Sequence, residues 1–489
     1  MTDHFDVLIV GAGLSGIGAA WHLQNQCPGK TYAILEGRAA IGGTWDLFRY
    51  PGIRSDSDMY TLGYSFRPWR EAKAIADGPA ILNYVRDTAR EADIEKHIRF
   101  NQHVERANWS SENAVWTVEA EQDGEVRAVT CNFLFMCSGY YNYAQGYTPE
   151  FEGSADFGGT IVHPQFWPAD LDYAGKRVVV IGSGATAVTI VPEMAKTAGH
   201  VTMLQRSPTY VVSRPAADAT ADWLRARLPA KLAYSLIRWK NVSFGMFFFN
   251  MARKKPAETK ARLVGMVRQH LGPDYDVDTH FTPRYNPWDQ RLCLVPDADL
   301  FDTLKSGKAT VVTDHVERFT ATGIKLKSGE ELPADIIVTA TGLNLQLASD
   351  VAFSVDGVRA DLSKSLSYKG MMYSEVPNLA SSFGYTNASW TLKADLTCEY
   401  VCRLLKTMDR KGVRQCTPRA GIEAVETAPY LDFSSGYVTR SMDKFPKQGM
   451  TKPWKLYQNY ALDLVTLRYG KVDDGVMEFS NPARVKVAA

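Results

Sequence analysis

Two apolar runs of the chain each lead into a glycine-rich loop and then into a helical pattern. The first run extends from Phe5 to Val10 and precedes GAGLSG; the second begins at Arg177 as RVVVI and precedes GSGATA. An apolar strand that enters a glycine turn and then a helix is the start of a nucleotide-binding α/β unit. The two copies therefore predict two Rossmann-like domains.

Two further apolar runs indicate how these domains are connected. Asn132 to Tyr140 and Ala334 to Asn344 end in small residues and glycine, as buried parallel strands that return toward a cofactor do. Between the second loop and the last run, GIKLKSGEELPAD alternates around a Ser-Gly turn and predicts a hairpin. This order predicts an α/β fold with two doubly wound dinucleotide-binding domains, one inserted in the other. The predicted outer domain covers 1–145 and 331–489, and the inserted domain covers 146–330 with a helical insertion at about 215–280.

The composition limits the classes of function. A chain of 489 residues is too long for one core, while 45% hydrophobic and 22% charged residues are ordinary for a globular protein. The net charge of +1, without a basic tail, argues against a nucleic-acid partner. No metal site is predicted.

The N-terminus, the longest apolar stretch and the cysteines bear on location. MTDHFDVLIVGAG has neither a basic segment nor a small-residue cleavage site, so we expect no secretory signal. Val242 to Ala252 is shorter than the roughly 18 residues of a membrane-spanning helix. Seven cysteines, an odd number without a CxxC pair, are typical of a reducing cytoplasm and argue against a dithiol redox enzyme. We therefore predict a cytoplasmic protein.

The first glycine loop has the features of an FAD site. Gly11 permits a tight turn, Gly13 lets the backbone approach a pyrophosphate, and Gly16 lets helix and strand pack closely. Glu36 ends the next strand, TYAILE, where a carboxylate can accept hydrogen bonds from ribose hydroxyls. The plain alternative is a glycine turn without a ligand.

The second loop differs from the first where the ribose would lie. Its next strand, HVTMLQRSP, ends in Arg206 and Ser207 instead of a carboxylate. A guanidinium can pair with a 2′-phosphate, which a carboxylate would repel, so this site is predicted to take NADPH rather than NADH. A solvated arginine at a strand end is the alternative interpretation. The predicted loop residues are Gly182, Ser183, Gly184, Ala185, Thr186 and Ala187.

Two long motifs carry a resemblance to a known family. FGGTIVHPQFWP matches FxGxxxHxxxWP through Phe157, Gly159, His163, Trp167 and Pro168, and Gly42 to Asp56 matches GGxWxxxxYPGxxxD. With these motifs the chain resembles the Baeyer–Villiger monooxygenases of the class B flavoprotein monooxygenases. YNPWDQRLCLVP and GYTNASWTLKADL carry a closer likeness to the ethionamide-activating monooxygenases of mycobacteria.

The resemblance implies an activity and its cofactors. FAD reduced by NADPH would react with O2 as co-substrate, and a C4a-peroxyflavin would insert one oxygen atom next to a ketone carbonyl. Organosulfur substrates, sulfides or thioamides, are implied as well. The catalytic cation would be Arg291, oriented by Asp56, whereas some family members have a lysine where this chain has Gln290. The plain alternatives are an exposed loop cation for Arg291 and a helix cap for Asp56.

The resemblance also implies further cofactor contacts. For FAD these are Ser15, Gly43, Thr44, Trp45, Asp46, Leu47, Asp56 and Val104. For NADP they are Arg54 and Ser55. We interpret His163 as an organiser of the linker rather than a proton carrier, because nothing in its motif requires proton transfer.

Residues 224–268 hold 11 Lys or Arg and one acidic residue around the aromatic stretch WKNVSFGMFFFNMARKK. Such a segment suits either a lid whose apolar face lines a substrate tunnel or a weak contact with an anionic membrane surface. We favour the lid because the segment lies inside the predicted NADPH domain.

Two other functions stay open at this stage. One is an N- or S-oxygenating flavin monooxygenase, against which Trp167 and Pro168 argue. The other is a non-oxygenating NADPH oxidase, or a redox-sensing flavoprotein whose conformation is recognised by a binding partner.

Overall fold

The computed structural model describes residues 3–420 and 425–482. Its larger sheet has eleven strands within these residues, and the centre of that sheet is parallel. His4–Val10 lies between Tyr32–Leu35 and Glu125–Met136 and runs parallel to both. These strands are buried on both faces over Val7–Val10, Tyr32–Leu35 and Phe133–Met136, as their apolar sequences predict. The other strands are Ile98–Arg99, His103–Ser110, Val115–Gln122, Ala352–Val355, Val358–Arg359, Ser367–Tyr368, Met372–Tyr373 and Leu379–Ser381.

The second sheet is parallel throughout and is formed by the middle of the chain. Its strands, in spatial order, are Ala309–Thr313, His200–Gln205, Arg177–Ile181, Ile336–Thr339 and Thr160–Val162. Because these strands come between Glu125–Met136 and Ala352–Val355 of the first sheet, one domain is inserted in the other, as predicted. The exact boundaries of the domains stay predictions.

Short strands outside the two large sheets form small sheets of their own, antiparallel except for the parallel pair of Val211–Arg214 with Cys293–Pro296. Val316–Thr320, Gly323–Leu326 and Glu331–Pro333 form a three-stranded meander, which confirms the predicted hairpin. The remaining pairs are Val211–Arg214 with Cys293–Pro296, Gln415–Pro418 with Met477–Ser480, and Thr427–Pro429 with Lys447–Gly449.

The chain crosses between the two domains twice, and the crossings pair with each other. Tyr141–Gly146 leaves the first domain and Leu343–Leu345 returns to it, and the two segments run antiparallel. Both follow the carboxyl ends of parallel strands, where ligands bind in open α/β sheets. The candidate site is therefore expected around these crossings.

The helices cover the sheets and form the predicted insertion. The insertion consists of Ala219–Arg225, Ala230–Lys254, Pro256–Leu271 and Val277–Phe281. The other α-helices are Leu14–Gln26, Thr44–Leu47, Met59–Leu62, Gly78–Glu91, Ala185–Met194, Asp299–Lys305, Trp390–Lys411, Gly436–Thr439 and Tyr460–Asp463. Shorter helical turns are Glu95–His97, Ser154–Asp156, Pro164–Phe166, Leu347–Asp350, Leu362–Lys364, Met442–Lys444 and the π-turn Leu464–Tyr469. Among the described helices, none combines the length and the apolar character needed to cross a membrane.

Candidate active site

One cavity of about 550 Å³ lies at the carboxyl edge of the larger sheet and extends toward the inserted domain. It brings together many of the side chains that the sequence singles out. The predicted residues that line it are Gly11, Gly13, Ser15, Glu36, Gly43, Thr44, Trp45, Arg54, Ser55, Asp56, Val104, Ala185, Thr186 and Arg291.

The other predicted residues do not line this cavity. Gly16, Asp46 and Leu47 lie behind its wall. Most of the second glycine loop and the five signature residues lie outside it: Gly182, Ser183, Gly184, Ala187, Arg206, Ser207, Phe157, Gly159, His163, Trp167 and Pro168.

The first glycine loop leaves no room for larger side chains. Gly11 has a φ of +103°, and a Cβ there would lie 2.8 Å from the carbonyl oxygen of Cys137. A Cβ on Gly16 would lie only 1.8 Å from the carbonyl oxygen of Gly11, so Gly16 serves helix–strand packing. A Cβ on Gly13 would lie 3.6 Å from Gly43 Cα, which is an ordinary contact, and both glycines border the cavity. The loop therefore offers bare backbone to a ligand at the start of helix Leu14–Gln26.

Glu36 is held in place by backbone donors. Its carboxylate accepts hydrogen bonds from the Ala12 amide at 2.7 Å and the Arg38 amide at 2.9 Å. The side chain is buried, and this burial raises its pKa. Because a carboxylate can accept more than two bonds, Glu36 can still receive the hydroxyls of a ribose.

Asp46 reaches the cavity only through Arg38. Its carboxylate is 2% exposed and is paired with Arg38, with Arg86 at 2.9 Å and with Arg49 at 3.3 Å. Arg38 itself borders the cavity. Asp46 is thus placed to orient a cation at the site rather than to touch a ligand.

Two buried polar atoms beside the cavity lack partners in the described chain. These are Arg38 Nε and Ser138 Oγ, and both residues line the cavity. Buried polar groups are normally hydrogen-bonded, so such atoms at a cavity wall suit a polar ligand. Together with the bare glycine backbone and Glu36, this donor and acceptor set fits FAD.

The second glycine loop is more open. A Cβ on Gly182 would lie 2.3 Å from the carbonyl oxygen of Ala340, whereas a Cβ on Gly184 would meet nothing within 4 Å. Ser183 Oγ lies 2.8 Å from Thr209 Oγ1, which fixes the loop to the segment after strand His200–Gln205. Arg206 and Ser207 are exposed at the end of that strand. This arrangement fits a nucleotide that binds from solvent.

Arg54 is already paired in this structure. Its guanidinium donates to both carboxylate oxygens of Asp299, with Nη2 lying 3.3 Å from Oδ1. Arg54 borders the cavity and Asp299 begins helix Asp299–Lys305 of the inserted domain. A contact between Arg54 and NADP would have to share or replace this ion pair, and it stays a prediction.

Arg291 lies at the cavity wall with two partners from the other domain. Nη1 donates to Asp56 Oδ2 at 3.2 Å, and Nε donates to the Tyr437 hydroxyl at 3.2 Å. Tyr437, followed by Tyr140, Asp56 and Tyr141, raises the pKa of Arg291 well above its ordinary value against the opposing effect of burial. The guanidinium is therefore a permanent cation with a fixed direction.

Tyrosines form the wall next to this cation. Tyr140 and Tyr141 place their hydroxyls 3.1 Å apart, and Tyr143 Oη lies 3.2 Å from Thr44 Oγ1. Burial raises the pKa of Tyr141 and of Tyr143 to about 12 in each case. These phenols stay neutral at physiological pH and can donate hydrogen bonds into the cavity.

His163 fastens the two crossings between the domains. Its Nε2 donates to the Gly342 carbonyl at 3.2 Å, while Nδ1 accepts from the Gln165 amide at 3.2 Å. Gln165 Nε2 in turn donates to the carbonyls of Asn142 and Tyr143, at 2.8 and 3.0 Å. A Cβ on Gly146 would lie 2.1 Å from the imidazole ring, so the glycine makes room for His163. The histidine is uncharged in this arrangement and lies outside the cavity, which supports the organiser interpretation.

Several residues of the site were not predicted. Tyr437 and Arg440 come from helix Gly436–Thr439 and its end, and Arg440 stacks 3.4 Å above the Tyr147 ring. Partial burial lowers the pKa of Arg440, and the neighbouring charge of Arg206 lowers it further. The sequence GYVTR had no glycine pattern or motif that could have pointed to these contacts.

Comparisons with known proteins agree with this geometry. A family model described as flavin-binding monooxygenase-like matches residues 70–227, and one described as an NAD(P)-binding Rossmann-like domain matches residues 9–76. The FAD-containing monooxygenase EthA of Mycolicibacterium smegmatis is 56% identical over 481 residues, which cover 98% of each chain. The chain belongs to the FAD-containing monooxygenases.

This FAD-containing monooxygenase is also similar to other members of that family. The putative FAD-containing monooxygenase MymA of Mycobacterium tuberculosis is 50% identical over the whole of both chains. A structure of oxidized steroid monooxygenase bound to NADP matches with a TM-score of 0.79 and 23% identity, over 98% of this chain and 100% of the other, which shows the fold. The predicted family, the α/β fold with Rossmann-like domains and the class of FAD-dependent monooxygenase are confirmed.

Proposed function

We propose that this FAD-containing monooxygenase inserts one oxygen atom of O2 next to a ketone carbonyl and so converts ketones to esters. NADPH would supply two electrons, and the second oxygen atom would leave as water. Sulfides or thioamides would be oxidised at sulfur at the same site. The observation that carries this proposal is the Arg291–Asp56 pair at the wall of the cavity that holds the first glycine loop.

The residues that would hold FAD are those of the first loop and the segment after it. Gly11, Gly13 and Gly43 offer backbone to the pyrophosphate, and Glu36 would accept from the ribose. FAD held by these residues would supply the chemistry of hydride acceptance from NADPH and of O2 activation. Arg206 and Ser207 at the second loop would recognise the 2′-phosphate of NADPH.

Arg291 would stabilise negative charge on the oxygen that is transferred. A guanidinium held by Asp56 and Tyr437 needs no reorganisation as that charge develops, which is the condition for effective electrostatic catalysis. Asp56 touches Arg291 and also borders the cavity, so it sets the direction of the cation. Neutral Tyr140 and Tyr141 beside it limit the access of water while keeping donors available.

The seven cysteines bear on the compartment. All seven are buried thiols without disulfides. Reduced thiols are typical of proteins in the cytoplasm, and we propose that location for this enzyme.

The test compares Arg291→Ala with Arg291→Lys in the FAD-loaded protein. Phenylacetone and a thioether are supplied with NADPH, and NADPH loss, hydrogen peroxide, ester and sulfoxide are measured. Because the cation acts on the transferred oxygen, Arg291→Ala should consume NADPH and release peroxide, with ester reduced at least about 100-fold. Arg291→Lys keeps the charge and should keep part of the ester yield.

Three results would contradict the proposal. Full ester formation by Arg291→Ala would remove the cation from the mechanism. Wild-type protein that makes sulfoxide without ester would be an S-oxygenase, and one that converts all NADPH to peroxide with either substrate would be an oxidase.

A further inference from the structure

Helix Ala230–Lys254 has large apolar side chains on its outer face in addition to the mainly apolar residues that it buries. Its inner face includes Arg238, whose Nη1 donates to the carbonyls of Tyr60 and Gly63 at 2.8 Å each and whose Nη2 lies 3.6 Å from Asp395 Oδ2. Its outer face carries large apolar side chains, whereas a surface helix normally directs such side chains to the core. The five outward residues are Leu232, Leu236, Trp239, Phe244 and Phe247, each between 43% and 65% exposed.

The outward residues form a stripe. At 3.6 residues per turn, positions 232, 236, 239 and 247 fall within roughly 80° around the helix axis. The buried residues Tyr234, Ile237 and Arg238 lie on the opposite side. Burial against the protein therefore does not account for the outward Trp239 and Phe247.

A second segment extends the exposed apolar surface. Leu462, Val465 and Tyr469 are 47%, 58% and 71% exposed on the helical turns that follow Tyr460. The Tyr460 ring lies 5.7 Å from the Trp239 ring, so the two segments are neighbours. Together these residues, apart from Phe244, form what we call the apolar face. Contiguous apolar surface of this kind marks a site of interaction with a protein or a membrane.

Positive charges without a carboxylate partner lie near the apolar face. Residues 224–268 contain 11 Lys or Arg and one acidic residue, and six of these cations pair with carboxylates, namely Arg225, Arg238, Lys240, Arg253, Lys255 and Arg268. Lys231 and Lys254 lie at the two ends of the helix, and neither has a carboxylate partner within the described residues. A second copy of the chain would bring like charges together across a symmetric contact, whereas anionic lipid headgroups would attract them.

We propose that the apolar face is a docking surface for a bilayer that contains anionic lipid. Trp239 and Phe247 would enter the boundary between headgroups and acyl chains, with the helix in the plane of the membrane. None of residues 224–268 lines the cavity, which favours a membrane contact over a tunnel lid for this segment. The Arg253–Asp289 ion pair, at 3.1 Å, ties this helix to the loop that carries Arg291. Docking would therefore hold the cavity near the membrane surface.

The experiment is flotation of the full-length, FAD-loaded protein with vesicles. One set contains phosphatidylcholine alone, and the other contains phosphatidylcholine with phosphatidylglycerol. We expect binding to the anionic vesicles that weakens with added salt, because screening reduces the attraction of headgroups for lysine. Lys231→Gln and Lys254→Gln should each lower the partition coefficient about fivefold.

The apolar contribution is tested with Trp239→Ser combined with Phe247→Ser. Both side chains are exposed, so the variant should fold, and bound flavin absorbance confirms this. Val358→Ser is the matched control, since Val358 is 72% exposed on an edge strand far along the sheet. The double variant should lose flotation with anionic vesicles, and the control should keep it.

Other outcomes would overturn the proposal. Wild-type protein that stays with the unbound fraction in both vesicle sets does not dock on lipid. If light scattering shows a dimer that the double variant abolishes, and no vesicles are bound, the occupant of the apolar face is a second copy. Equal flotation of wild type and double variant would place lipid binding elsewhere.

Discussion

The two glycine-rich loops of this FAD-containing monooxygenase have the same spacing and opposite surroundings. The first lies in a cavity, and its carboxylate partner Glu36 is 6% exposed with two backbone donors. The second lies mostly outside that cavity, and its guanidinium partner Arg206 is exposed. The same local motif therefore forms an enclosed nucleotide site in one domain and a solvent-exposed nucleotide site in the other.

The difference has a physical meaning for the cofactors. When buried groups are already oriented, the protein loses little entropy on binding a nucleotide, and the enclosed nucleotide leaves slowly. A nucleotide recognised by exposed charges can exchange at every turnover, and its affinity depends on salt. The structure thus fits a resident FAD beside an exchanging NADPH, and the following variants test this contrast.

The largest effect is expected from adding one methyl group to each loop. A Cβ at position 16 would lie 1.8 Å from the Gly11 carbonyl, whereas one at position 184 meets nothing within 4 Å. Gly16→Ala should therefore purify largely without FAD, and Gly184→Ala should keep its full flavin. The ratio of flavin to protein absorbance measures this. If Gly16→Ala kept its full flavin content, the first loop could shift to accept the methyl group. The two loops would then not differ in how tightly they are packed.

The sequence predicted the elements whose signals are local. Strand, glycine turn and helix follow one another within about 20 residues, so their pattern identified both loops and the acidic or basic residue after each. It could not predict Tyr437, which meets Arg291 across 146 positions of the chain, or the pairing of Arg54 with Asp299 across 245. Such contacts depend on how the domains pack.

Asp46 and residues 224–268 show a second limit of the sequence. A motif residue looks the same whether it touches a ligand or orients the residue that does, and Asp46 orients Arg38. Likewise an amphipathic pattern does not indicate which face is turned inward. Helix Ala230–Lys254 buries Arg238 and exposes Trp239, which only the packed structure shows.

The second largest effect concerns the exposed guanidinium of the second loop. Arg206→Gln removes the charge that would pair with the 2′-phosphate, so KM for NADPH should rise about 10- to 100-fold. KM for NADH should not change, because NADH lacks that phosphate. Steady-state kinetics with both coenzymes measures the ratio. An equal rise for both would mean that Arg206 supports the loop and does not select the coenzyme.

A smaller effect is expected at Arg440. It lies close to Arg206, is stacked on Tyr147, and has no carboxylate partner among the residues that the structure describes. As a second and more distant cation, it should add a few-fold to the affinity for NADP+. Arg440→Gln should raise the dissociation constant about threefold in titration calorimetry. Arg359→Gln, an exposed arginine on an edge strand, is the control and should leave it unchanged.

The smallest effect should come from His163, which fixes the crossings that join the two loops. Burial lowers its pKa from the ordinary 6.5, so in the folded state it binds fewer protons than in the unfolded state just below that value. Its contribution to stability is therefore complete above about pH 6.5 and is lost as the pH falls toward the lowered pKa.

His163→Gln can still donate to the Gly342 carbonyl and cannot take up a proton. Between neutral and mildly acidic pH, the Tm of His163→Gln should fall about 1–2 °C less than the Tm of the wild type. His315→Gln changes an exposed histidine and is the control, so its Tm should fall as much as that of the wild type. Identical falls in all three proteins would show that the crossings are held together without this histidine, and that the contrast between the two loops does not depend on it.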